Sequence, residues 1–194
     1  YATDTLQSER VAAEAARLAW EGGTRVIVLP AVPLGVQSGQ LDIPLCLHVN
    51  PSTQAAILGD IARTLSGQGV RKLLILNGHG GNDFRPIIRE LQPGIEIFLC
   101  TVNWYSCVDP RPFFDTPGDH AGELETSVVM HVAPELVLPL EQAGRGVERR
   151  FRIAGLREGW AWAPRQWKQI SSDTGVGDPM QASADKGARF FHAV

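Results

Sequence analysis

The chain has 194 residues, 44% hydrophobic and 20% charged, the size and balance of one ordinary globular domain. A formal charge of −3 argues against a polybasic nucleic-acid binder, and no apolar run reaches the ~18 residues of a membrane span. Cys46, Cys100 and Cys107 show no C-x-x-C spacing, which points to neither a disulfide framework nor a zinc ribbon and suits a reducing cytoplasm.

Residues 5–20 are rich in Ala, Glu, Arg and Leu and predict a helix closed by Gly22-Gly23. Arg25–Pro30 is a short β-branched apolar run and predicts a buried strand. Ser52 is the expected N-cap of a second helix, with Ile57, Leu58, Ile61, Ala62 and Leu65 as its apolar stripe. Lys72–Leu76 predicts a second buried strand, running into Asn77-Gly78-His79-Gly80-Gly81-Asn82. A helix over about 83–91 follows, with Pro86 near its start, then a third strand over 95–102. A further helix is expected over about 121–132. Residues 140–178 read as irregular, with Trp160, Trp162 and Trp167 expected in the core or a subunit interface. Asp178-Pro179 signals the start of a terminal helix. Strands alternating with helices predict one α/β domain over 1–194 with a largely parallel sheet.

Sites in open α/β sheets gather at the carboxyl ends of strands, where the Asn77–Asn82 turn is expected to lie. Its glycines allow close backbone approach. His79 then either packs within a tight turn or serves as a metal ligand or catalytic group. Asp119-His120-Ala121-Gly122-Glu123-Leu124-Glu125 stands at a helix start. His120 and Glu123 are types used by Zn, Mn and Fe enzymes, while Asp119 and Glu123 would equally suit the positive end of a helix dipole. Asp4, just before the first helix, reads on its own as a cap. No G-x-S-x-G elbow or G-x-G-x-x-G loop is present, which argues against a serine hydrolase and a Rossmann nucleotide site.

Thr3-Asp4 before the first helix, Asn-Gly-His-Gly-Gly-Asn after a strand and Asp-His-Ala-Gly-Glu-x-Glu-Thr-Ser before a helix together resemble the creatininase (creatinine amidohydrolase) family. Thr174–Pro179 and Ala184-Asp185-Lys186-Gly187 are similar to that family's ending. The resemblance implies a three-layer α/β/α fold and a pair of divalent ions (Zn, Mn or Fe). It also implies hydrolysis of a C–N bond in a small cyclic amide or formamide by a metal-bound hydroxide. Asp4 would bridge the ions, His79 would ligate one, and Glu123 is the candidate for a further ligand. His120 would act as acid–base with Asp119 orienting it. Trp104, Gln40, Gly78 and Gly80 are the candidates for contact with a small-molecule substrate. Trp104 reads equally as a packing residue, and His48 is a weaker candidate for lining the crevice. A homo-oligomer, often a hexamer, is also implied.

The sequence departs from the family pattern in three places. The family's first strand and Glu-x-His ligand pair would precede Tyr1, and they are expected in the full-length protein. Gly81 stands where creatininase itself has a carboxylate. Gln40 replaces a His, and an amide cannot shuttle protons as imidazole does. A formamide hydrolase of pterin or flavin biosynthesis is the neighbouring reading within the family. A metal-poor binding or structural relative is the reading from another class.

Overall fold

A computed structural model describes residues 3–194. Tyr1, Ala2 and the Glu-x-His segment expected before them lie outside the described residues. The chain forms two compact units. One runs to Gln37 and resumes over Leu47–Cys107; the other takes Ser38–Cys46 and Val108–Val194.

In the first unit, α1 spans Thr3–Glu21 and ends at Gly23, whose φ of +87° lies in the left-handed region that favours glycine. Asp4 sits inside the first turn of α1, so it is not the cap that its position suggested. α2 spans Pro51–Gly67, starting two residues earlier than Ser52 as N-cap implied. Asn50 occupies the cap position and Pro51 the first turn. Leu58 and Ala62 of the expected stripe are buried, and Leu65 packs beside them. β1 (Lys72–Asn77) leads to α3 (Phe84–Leu91), which Asp83 caps by accepting from the Arg85 N–H. β2 (Phe98–Asn103) pairs in parallel with β1, Lys72 opposite Phe98 and Asn77 opposite Asn103. β2 starts later than residue 95 because the Gln92 side chain takes over there. Its amide donates to the Ile97 carbonyl and its carbonyl accepts from Leu99 N–H. Ala62, Ile97 and Leu99 form the buried core, with Leu73, Ile88 and Leu91 against them.

Arg25–Pro30 is not a strand. Ile27 is 87% exposed, and among the described residues the backbone of 25–34 makes no hydrogen bond to another segment. A strand exists only by pairing, and nothing described pairs with this run.

In the second unit, α4 spans Glu123–Val132, and α5 (Ala154–Glu158) and α6 (Trp167–Ile170) are single turns within the irregular stretch. Asp178 does cap, but only a 3₁₀ turn over Pro179–Gln181. The terminal helix α7 begins at Ala184, with the Ser183 hydroxyl accepting from Lys186 N–H. α7 packs on α4 so closely that a Cβ on Gly187 would lie 1.9 Å from the Ser127 carbonyl oxygen. Phe190 is buried between Phe113 and Phe114, in edge-on contacts. Trp167 is buried with Ile170 and Val176, whereas Trp160 and Trp162 stand exposed rather than in this core.

Candidate functional site

The first unit carries the Asn77–Asn82 loop at the carboxyl end of β1 and Trp104 just beyond the same end of β2. The loop is held by its own amides. Asn77 Nδ2 donates to the His79 carbonyl and to Asn103 Oδ1, and Asn77 Oδ1 accepts from His79 N–H and Asn82 Nδ2. Asn82 Oδ1 accepts in turn from Val36 N–H and Gln54 Nε2. With Asn77 buried and its amide engaged at both ends, the turn is tied at both of its asparagines.

That shape brings His79 to Asp4. Nδ1 lies 2.9 Å from Asp4 Oδ2, and Nε2 lies 3.1 Å from the Val36 carbonyl. A carbonyl only accepts, so the contact at Val36 places a proton on Nε2. A neutral ring then turns its Nδ1 lone pair toward a carboxylate oxygen. Two acceptors at that distance are held together by a shared proton or by a cation. Gly81 has a steric reason here. A Cβ on it would fall 2.3 Å from His79 Nε2 and 2.5 Å from the Val36 oxygen, so a carboxylate side chain at 81 is incompatible with this ring position.

Ser8, one turn beyond Asp4 on α1, occupies the space that a Gly78 Cβ would need, at 2.0 Å; Trp104 Nε1 lies 3.1 Å from that same point. Trp104 is 2% exposed, and its indole N–H is a buried donor without an acceptor among the described residues. Gly78 therefore serves the packing of α1, while Gly80 has only the Tyr105 hydroxyl near, at 3.8 Å from its Cβ position. His48 is a loop clamp, accepting from Gln37 N–H on Nδ1 and touching Asn50 Oδ1 with Nε2.

The second unit carries His120. Its backbone is pinned by mutual hydrogen bonds with Val176 at 3.0 and 2.8 Å. The approach depends on Gly118 and Gly177, since a Cβ on Gly177 would lie 2.6 Å from the Gly118 Cα. Ala121 takes a left-handed φ of +51°, and Glu125 Oε2 accepts its N–H at 2.6 Å. The same oxygen lies 4.0 Å from His120 Nδ1. Asp119, expected to orient His120, is bonded to Arg165 instead, at 2.5 Å. Gln40 is half-buried beside Gly39, whose carbonyl accepts from Trp167 N–H.

Glu123, expected as a ligand, is wholly buried in this unit. Oε1 takes a hydrogen bond from Lys186 Nζ and Oε2 one from Thr116 N–H. The first turn of α4 points it inward, and both of its oxygens are engaged there. Lys186 is held above the ordinary lysine range by its hydrogen bonds to Glu123 and to Asp115. A raised lysine contributes its stability in full below the ordinary value of about 10.4 and loses it as pH rises through the raised one. Lys186→Gln is therefore expected to lower the melting temperature at neutral pH, with the gap to wild type closing only under strongly alkaline conditions. Thermal melts across that range check this.

An imidazole nitrogen beside a carboxylate is a donor set that divalent Zn or Mn accepts, so Asp4 and His79 fit part of a metal shell. Among the described residues no three His, Cys, Asp or Glu side chains cluster to complete one. No described helix is long and apolar enough to cross a membrane.

The family model for creatinine amidohydrolase matches residues 1–194. The chain belongs to the creatininase family. A Bacteroides fragilis structure described as a candidate creatinine amidohydrolase is 46% identical, with a TM-score of 0.92, covering 97% of this chain and 76% of that one. The mycofactocin precursor peptide peptidase of Mycobacterium ulcerans is 33% identical over 62% of this chain and 43% of its own length. A structure described as the manganese form of creatininase has a TM-score of 0.73 at 22% identity, covering 94% and 76% of the two chains. The chain thus has the α/β creatininase fold. It spans 43% to 62% of the length of the mycobacterial relatives it matches. Within this family frame, motif reading missed Glu125, Arg165 and the Asn82–Gln54 amide pair. Glu125 lay inside the quoted motif, and Arg165 left no local signal.

Proposed function

We propose that this chain belongs to a metal-dependent hydrolase that cleaves the C–N bond of a small cyclic amide or a formamide. The observation that carries the reading is the His79–Asp4 pair, with Nε2 on the Val36 carbonyl and Nδ1 facing the carboxylate. Metal-binding histidines ordinarily anchor the ring nitrogen away from the ion on a carbonyl or carboxylate, which fixes the tautomer and aims the ligating nitrogen. Asp4 and His79 would hold the ion, which acts as a Lewis acid toward water and the scissile carbonyl. His120, half-exposed on a pinned backbone, would carry a proton to the leaving nitrogen, the task for which imidazole is the commonest side chain. Glu123 is not used as a ligand, because its oxygens serve Lys186 and Thr116.

A peptide amide is a second substrate class, favoured by the 33% identity to a precursor peptide peptidase. Trp104 and Gln40 remain our choices for substrate contact, and family membership supports a homo-oligomer. A cytoplasmic setting is supported by three cysteines without a disulfide.

Metal analysis of the full-length protein tests the reading. His79→Ala is expected to lose bound Zn or Mn and amide hydrolysis together. A wild-type protein that takes up no divalent metal under excess Zn, Mn or Fe would overturn it.

A further inference from the structure

We propose that Arg165 is a positioning residue for His120, acting through Trp167 and Asp119. The inference rests on the reading of His120 as the acid–base group and adds what fixes its ring.

The hydrogen bonds to Val176 fix the His120 backbone but leave two side-chain torsions open. Trp167 restricts them. Its ring stands perpendicular to the imidazole, with centroids 5.1 Å apart. Trp167 is itself immobile: it is buried, its indole N–H donates to the Thr174 carbonyl at 2.9 Å, and its backbone N–H donates to Gly39. The Arg165 guanidinium lies over that indole, 4.7 Å from the ring centroid. Its Nη1 also reaches Asp119 Oδ2 at 2.5 Å and Glu148 Oε1 at 3.6 Å. One planar cation thereby touches the residue before His120 and the ring against His120.

Two consequences follow from the charges. Asp119 is turned to Arg165, so the carboxylate left beside the imidazole is Glu125, at 4.0 Å from Nδ1. Glu125 is in turn aimed by the Ala121 N–H, within the same turn. Among the described residues Glu125 is thus the carboxylate paired with His120, with Asp119 turned to Arg165. The Arg165 backbone passes close to residue 39, where any side chain larger than glycine would displace it: a Cβ on Gly39 would lie 2.0 Å from the Arg165 carbonyl oxygen. Stacking on an indole while ion-paired with carboxylates is arginine's capability; lysine keeps the charge and loses the stacking plane.

The test reads the imidazole directly. In full-length protein, the His120 ring protons are assigned by NMR against His120→Gln and compared in wild type, Arg165→Ala, Arg165→Lys and Trp167→Phe. Wild type is expected to show a ring-current shift from Trp167. Arg165→Ala should move or broaden the His120 signals, leaving those of His48, His79, His131 and His192 unchanged. Arg165→Lys should restore them only in part. On a formamide or cyclic amide that wild type hydrolyses, Arg165→Ala should lower kcat about 10-fold, less than the ~10²–10⁴-fold of removing a positioned acid–base group because the imidazole itself remains, with KM changed less than about twofold. Unchanged His120 signals in folded Arg165→Ala, or in Arg165→Lys should the alanine variant fail to fold, overturn the proposal. Shifted signals in a protein with no amide hydrolase activity support the positioning and refute the hydrolase reading, so the two failures are distinguishable.

Discussion

His120→Ala is expected to keep its bound metal and to lose turnover by ~10²–10⁴-fold, the usual contribution of a positioned general acid or base. An amide nitrogen leaves poorly until it is protonated, so a missing proton donor slows bond cleavage more than substrate binding. His79→Ala should behave differently, losing metal and activity in proportion, because its ring faces the Asp4 carboxylate at 2.9 Å. Metal content and kcat measured on both variants decide the roles. Loss of metal in His120→Ala with retention in His79→Ala would invert them.

Gly187→Ala is expected to be among the most destabilising single-methyl changes in the chain. The added Cβ would lie 1.9 Å from the Ser127 carbonyl oxygen and 2.4 Å from its carbonyl carbon, in the seam between α4 and α7. Backbone cannot rotate aside as a side chain does, so the helices must separate, at a cost of about 1–3 kcal/mol or more. Gly67→Ala at the end of α2 is the matched control. Nothing lies within 4 Å of its Cβ position, and alanine favours a helix by up to ~1 kcal/mol over glycine. Opposite signs in denaturant melts are the expected result; equal effects would show that the seam yields.

Much of the fold was legible because β1 and β2 are apolar runs bounded by turn residues, and because the α2 stripe repeats at helical spacing. Arg25–Pro30 reads the same way but is no strand, since composition shows that a run can pair and not whether a partner stands beside it. Asp178-Pro179 was rightly read as a cap signal, but the signal does not encode length, and Ser183 caps the long helix. At the candidate site, Asn77, His79 and Asn82 were legible because glycine and asparagine dictate backbone shape locally. Glu123 and Glu125 were not separable in the sequence. Helix register decides between them, turning one to Lys186, 63 residues away, and the other to the Ala121 N–H. Asp119 looked like His120's partner by adjacency, yet it is ion-paired with Arg165, whose guanidinium is always charged.

The exposed run Val26–Leu29 bears on how the protein behaves at high concentration. Four consecutive apolar residues whose backbone groups have no partner among the described residues are what one chain needs to recruit another edge-on. The run is bracketed by residues that oppose this. Arg25 sits before it, its guanidinium 5.1 Å from the Trp20 ring centre, while Pro30 and Pro33 follow and cannot donate to a growing ladder. Those flanks confine the apolar stretch to about one strand's minimum length.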